Sequence, residues 1–316
     1  MKPIILAFFI TAQLVHAAAI STDLTLRDAA RGRDIECRVY FSEAGTVLPL
    51  IVFSHGFGAD RTAFEVIARH WAEHGYVVVL PSHLDGFGKS AGKSLPKQPG
   101  AASKPLAAKR SLVELISDPA KTEARVQDVL FIMENSEQIS AKIPALAGRL
   151  DTKRIGVSGH SFGAYIASLL GGVTVDMGGQ KARSFRDARV RCILPISAQG
   201  TGQQGLTESS WSQLKIPMMT ITGSRDQGAG GQGPDWKKQP FNYSPAGDKY
   251  LVYIEGANHV SFGGYGGRDN AFTPVVKATT LAFWDAYLKG DASAKAALTS
   301  GEIMNPFRDQ ATLETK

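Results

Sequence analysis

One stretch restricts the choice of fold more than any other: Arg154-Ile155-Gly156-Val157-Ser158-Gly159-His160-Ser161-Phe162-Gly163, followed by Ala164-Tyr165-Ile166-Ala167-Ser168-Leu169-Leu170. It reads as a short β-branched strand, a turn with glycine on both sides of Ser161, and a helix with apolar spacing. This is a G-x-S-x-G pattern in the strand-to-helix setting that its chemistry requires. A serine displayed on a tight turn needs neighbours without bulk two positions away, and Gly159 and Gly163 meet that need. A helix starting at the serine also points backbone N–H groups and a positive dipole end at any anion formed there. A second match, Gly88-Lys89-Ser90-Ala91-Gly92, has no strand before it and no apolar helix after it. Ser90 is therefore given no chemical role.

The rest of the chain supplies the sheet this turn belongs to. Residues 24–27 and 35–41 read as an opening antiparallel hairpin. Residues 48–53 and 76–80 are nearly continuous apolar runs, suited to strands buried on both faces. Between them, residues 61–74 have helical spacing, with Phe64, Ile67, Ala68 and Trp71 on one side. A second helix is expected over 120–138, and strands at 190–196, 218–222 and 250–254. The stretch 173–188 reads as a connection. A last helix is expected over 274–288, followed by an Ala-rich tail of little apolar weight. Strands alternating with helices after a hairpin predict a mostly parallel sheet of about eight strands with helices on both faces. Residues 20–316 read as a single domain. In such a sheet, ligands sit outside the carboxyl ends of the strands.

At those ends the chain places chemistry. A serine hydroxyl needs a base, because it is a poor nucleophile at neutral pH. Of seven histidines, only His259 follows Ser161, in Glu255-Gly256-Ala257-Asn258-His259 just past the last parallel strand. The acid has several candidates, namely Asp176, Asp187, Asp226, Asp235 and Asp248. Asp226 is favoured because it ends Thr222-Gly223-Ser224-Arg225-Asp226, directly after a strand, where a carboxylate can hold an imidazole tautomer. Two backbone donors are expected to bind an oxyanion: the N–H of Phe162, next to the serine, and the N–H of Phe57 in His55-Gly56-Phe57-Gly58. Trp211, Trp236, Phe262 and Tyr265 are either pocket lining or packing.

With these residues in place, a resemblance becomes specific. Ser54-His55-Gly56-Phe57-Gly58-Ala59-Asp60-Arg61-Thr62, Glu73-His74-Gly75-Tyr76-Val77-Val78-Val79, Gly159-His160-Ser161-Phe162-Gly163-Ala164 and Gly256-Ala257-Asn258-His259 resemble the platelet-activating-factor acetylhydrolase branch of the α/β-hydrolase superfamily. Dienelactone-hydrolase-like and chlorophyllase-like esterases are similar in pattern, although serine at 161 departs from dienelactone hydrolases themselves. The resemblance runs from about residue 48 to 288. It implies an α/β-hydrolase fold and a carboxylic ester hydrolase acting through Ser161, Asp226 and His259, without metal or cofactor. It also implies a small-molecule or lipid-like ester as substrate. Other serine-hydrolase activities, peptidase or acyltransferase, and a non-catalytic binding module on the same fold are the alternatives.

Composition and spacing remove other classes. The net charge of +6 owes much to Lys89, Lys93, Lys97, Lys104, Lys109 and Arg110, in or beside one Gly/Lys/Pro-rich stretch at about 86–109. That stretch reads as a lid or a surface loop, with no nucleic-acid motif beside it. Gly228-Ala229-Gly230-Gly231-Gln232-Gly233 satisfies G-x-G-x-x-G, but no helix is expected after Pro234, so a dinucleotide site is not inferred. No zinc-type spacing occurs. Residues 1–19 read as a signal peptide ending in an A-x-A-like site, and predict a secreted or periplasmic protein without stable membrane insertion. Cys37 and Cys192 fall on strands expected to lie far apart, so two separate buried thiols are expected.

Overall fold

A computed structural model describes residues 18–86, 112–264 and 266–316. The expected signal peptide apart from its last two residues, the basic stretch after Gly86 with Ser90, and Tyr265 lie outside the described residues. Eleven strands are present among those described, nine of them in one sheet. In chain order they are β1 (Ile20–Asp28), β2 (Arg33–Phe41), β3 (Leu48–Ser54), β4 (Val77–Pro81), β5 (Leu150–His160), β6 (Val175–Met177), β7 (Gln180–Arg183), β8 (Val190–Ile196), β9 (Met218–Arg225), β10 (Lys249–Asn258) and β11 (Ala311–Thr315). The sheet order is β1-β2-β4-β3-β5-β8-β9-β10-β11. Strands β4, β3, β5, β8, β9 and β10 are mutually parallel, and the hairpin and β11 are antiparallel additions at the two edges. This is the α/β-hydrolase arrangement.

The parallel strands carry two cores, because alternate side chains leave opposite faces of a strand. Leu50, Val52, Val77, Val79, Val157 and Ile193 belong to one buried cluster. Their neighbours Ile51, Phe53, Val78, Leu80, Cys192 and Leu194 belong to the other. Helices α2 (Pro119–Glu134) and α4 (Phe162–Gly171) cover the first. Helices α1 (Glu65–Glu73), α6 (Thr273–Trp284) and α7 (Ala292–Ser300) cover the second. Trp71 of α1 meets Trp284 of α6 edge-on at 5.6 Å and donates its indole N–H to Thr280 Oγ1 at 2.9 Å. Cys37 and Cys192 are both free and buried, one in each core, so the sheet itself stands between them.

The structure differs from the sequence expectations in four places. The ninth strand, β11, comes from the polar tail, where only Ala311 is fully buried and a central-strand pattern is missing. The stretch after α4, the helix that follows the Ser161 turn, or elbow, holds a small ribbon, β6–β7, too short to show a period. The helix expected over 120–138 breaks at Asn135, whose side-chain amide caps Phe131 O at 2.9 Å; α3 (Ser136–Lys142) follows. A helix does begin at Pro234: α5 runs Pro234–Tyr243 with proline in its first turn, where a missing N–H costs nothing. The glycine loop before it is nevertheless closed on itself. Gly228 N–H donates to Gln232 O at 2.9 Å and Gly231 N–H to Gly228 O at 2.9 Å, while Gly230 N–H donates to Gln232 Oε1 at 3.0 Å. Those amides are not presented to a phosphate.

Candidate active site

Ser161 stands between the end of β5 and the start of α4 with φ 56° and ψ −117°. A non-glycine residue held there stores backbone strain, and such strain persists only where the surroundings over-determine it. Here they do. A Cβ at Gly163 would lie 1.8 Å from Ser54 O, and one at Gly159 would lie 2.3 Å from Gly163 O. The end of β3, the end of β5 and the first turn of α4 thus touch backbone to backbone, and only glycine fits between them. Gly163→Ala is expected to destabilise the fold by about 3 kcal/mol or more, read as a large drop in thermal midpoint; a midpoint equal to the parent's would contradict this packing.

The sheet brings the three separated side chains together. His259 Nε2 lies 3.0 Å from Ser161 Oγ, and His259 Nδ1 lies 3.0 Å from Asp226 Oδ1. His259 follows β10 directly and Asp226 follows β9, so both descend from the carboxyl edge of adjacent parallel strands. His160 steadies the histidine loop. Its Nε2–H donates to His259 O at 2.7 Å, and burial pulls its own pKa down to about 3, which keeps the ring neutral. Of the other acid candidates, Asp176 pairs with Lys181, Asp187 with Arg189, Asp235 with Lys238 and Asp248 with Lys295. None of these pairs involves His259.

Phe162 opens α4, so its N–H is one of the helix's first donors. Phe57 lies in the turn after β3, closed by Ala59 N–H to Gly56 O at 3.2 Å. A Cβ at Gly56 would come within 3.6 Å of Ser161 Cβ, which puts this turn against the serine. Trp211 and Phe262 are buried packing residues, and Trp236 is tied down by its N–H to Thr201 O at 2.8 Å.

A family model described as platelet-activating factor acetylhydrolase, isoform II, matches residues 34–141, from β2 through most of α3. A platelet-activating factor acetylhydrolase of Canis lupus familiaris is 26% identical over 271 residues, covering 80% of this chain and 54% of the relative. That of Cavia porcellus is 25% identical over 239 residues, 70% of this chain and 49% of the relative. One from Bos taurus is 46% identical over 46 residues, 15% of this chain and 10% of the relative. The chain thus resembles the acetylhydrolase-like branch of the α/β-hydrolases. It spans about half the length of the first two curated relatives.

In this acetylhydrolase-like chain, three groups around Asp226 escaped the sequence reading. Ser197, at φ 52° just past β8, donates its hydroxyl to Asp226 Oδ1 at 3.0 Å and lies 2.8 Å from His259 Nδ1. Thr222 Oγ1 donates to Asp226 Oδ2 at 2.9 Å. Lys237 of α5, itself buried, brings its ammonium to 4.0 Å from Asp226 Oδ1 and donates to Ser197 O at 3.0 Å. No sequence motif marks Lys237, because the helix that carries it begins in a Gly/Pro-rich segment.

These contacts decide the charge of Asp226. Burial alone would push its carboxyl up, but the Lys237 ammonium, His259 and the Ser197 hydroxyl outweigh it and hold the pKa at about 2. A folded value below the unfolded one, 3.8, stabilises the fold above about pH 4, and that stabilisation is lost as pH falls through 2. The difference amounts to about 2 kcal/mol. Unfolding titrations in urea between pH 5 and 2 should therefore show a smaller acid-side loss for Asp226→Asn than for the parent, by about that amount. Identical slopes would contradict the assignment.

Proposed function

We propose that this chain is a serine ester hydrolase that works through an acyl-enzyme. The reading is carried by the relay of Ser161, His259 and Asp226, each 3.0 Å from the next. Asp226 is ionised and takes the His259 Nδ1–H, shared with Ser197 Oγ, which leaves Nε2 as the acceptor facing the serine. His259 Nε2 removes the Ser161 proton as Oγ bonds to the ester carbonyl carbon. The N–H groups of Phe57 and Phe162 hold the oxyanion. His259 returns the proton to the leaving alkoxide, the C–O bond breaks, and an alcohol departs. Water then repeats the sequence on the acyl-enzyme and releases the carboxylic acid. Asp226 remains a carboxylate throughout, in keeping with its low pKa.

The relatives' printed names point to short acyl groups, acetyl above all, on a small-molecule or lipid-like alcohol. The apolar leader at 1–19 supports an exported protein, secreted or periplasmic. Among the described residues no helix is long and apolar enough to cross a membrane.

A panel of p-nitrophenyl esters from acetate to palmitate tests the reading. The expected result is a kcat/KM that is highest for acetate and falls with chain length. A maximum at the long acyl groups would overturn the short-acyl preference, and no turnover of any ester would overturn the hydrolase itself.

A further inference from the structure

Behind the turn that carries Phe57 lies a buried guanidinium that no part of the reaction above employs. Arg125 projects from α2 and is 1% exposed. Its Nη1 donates to His55 O at 2.5 Å and approaches Ser54 Oγ at 3.4 Å, and its Nη2 donates to Gly56 O at 3.3 Å. The same guanidinium lies over the ring of Phe162, its carbon 4.5 Å from the ring centre. On its other edge, Asp85 grips it in a two-point pair, with Nε to Oδ1 at 3.0 Å and Nη2 to Oδ2 at 3.0 Å.

The contact with Gly56 O has a geometric consequence. The Gly56 carbonyl and the Phe57 N–H belong to one planar trans peptide, so they point in opposite directions. Three donors draw the carbonyl to one side: Arg125, the His55 ring at 2.7 Å and Ala59 N–H at 3.2 Å. The Phe57 N–H is thereby turned the other way. The second proposed donor, the N–H of Phe162, belongs to the residue whose ring the guanidinium covers. One planar cation therefore touches both segments that supply the oxyanion donors, and α2 holds it in place.

We propose that Arg125, anchored by Asp85, is a positioning residue that sets the spacing of the Phe57 and Phe162 N–H groups around the oxyanion. This rests on the hydrolase reading above. Lysine is no substitute, because a point charge on a flexible stem cannot reach Asp85, two carbonyls and a ring face together.

The test measures Arg125→Met, Arg125→Lys and Asp85→Asn against the parent on p-nitrophenyl acetate, together with the affinity of a trifluoromethyl ketone: Ser161 Oγ adds to its carbonyl carbon as His259 takes the serine proton, and the resulting hemiketal oxyanion needs the donor pair. Both Arg125 variants should lose about 10²-fold in kcat, the loss seen when one oxyanion donor is removed. KM should stay within about threefold, and ketone affinity should fall in parallel with kcat. Asp85→Asn keeps the guanidinium but frees it, and should show the same split at about a tenth of the loss; it carries the test if the Arg125 variants do not fold. Parental kcat and ketone affinity in a folded variant, a loss confined to KM, or full recovery with lysine would each overturn the proposal. Labelling of the parent by a fluorophosphonate separates the two levels. A parent that is labelled and active beside an unimpaired variant refutes only the role of Arg125, whereas an inert parent refutes the hydrolase reading and this inference with it.

Discussion

Ser161→Ala is expected to lower ester turnover by about 10⁴- to 10⁶-fold while leaving the fold intact. The alanine loses only an oxygen at a site whose backbone is fixed by Gly159, Gly163 and Ser54, so the elbow keeps its shape. His259 then faces a methyl group, and the only nucleophile left is water. Residual catalysis of about 10³- to 10⁴-fold over the uncatalysed reaction is expected, because the backbone donors and the substrate site remain. The measurement is steady-state hydrolysis of p-nitrophenyl acetate on protein purified away from host esterases, with circular dichroism to verify folding. Turnover within tenfold of the parent would remove Ser161 from the reaction.

Asp226→Asn is expected to cost about 10⁴-fold in kcat with little change in KM. The reason lies in proton placement. Asp226 Oδ1 now accepts from His259 Nδ1–H and from the Ser197 hydroxyl, and Oδ2 accepts from Thr222. An asparagine that keeps Thr222 on its carbonyl oxygen turns its NH₂ toward Nδ1. That favours the tautomer with the proton on Nε2, which cannot take the proton of Ser161. The buried Lys237 sharpens the effect, since a neutral amide no longer balances its ammonium. A variant that retains more than a tenth of parental kcat would show that Ser197 can hold the imidazole without the carboxylate.

How much of this was readable from residues alone follows from where each element is buried. Strands β3, β4, β8 and the core of β10 are covered on both faces, so their apolar runs announce themselves without an alignment. Strand β11 lies at an edge with most of its residues at least partly exposed, and α5 starts in Gly-Pro; neither carries a hydrophobic signal of its own. The same division holds at the site. Ser161 has a local motif, His259 is marked by chain order, and Asp226 by its position after a strand. Lys237, Ser197 and Arg125 have no such marks. They meet the site because the end of β8, α5 and α2 are packed beside it, and that proximity is a property of the folded arrangement rather than of any short segment.

The acid candidates show the same limit from the other side. Spacing alone left Asp176, Asp187, Asp235 and Asp248 open, and it is their surface partners, Lys181, Arg189, Lys238 and Lys295, that separate them from Asp226. Exposure adds to this at Asp235, whose side chain is 93% exposed while that of Asp226 is fully buried. A carboxylate that must hold an imidazole is useful when it is shielded from water and held by several donors, and only the folded chain reveals which one is.

The most direct test is to treat the full chain with a fluorophosphonate probe and map the adduct by peptide mass spectrometry. The phosphorus takes the place of the ester carbonyl carbon, so bonding requires a hydroxyl activated by the relay. One adduct per chain on the peptide containing Ser161, absent from Ser161→Ala and strongly slowed in Asp226→Asn, is the result predicted. No adduct, or labelling of another serine such as Ser90 with Ser161 untouched, would contradict the account.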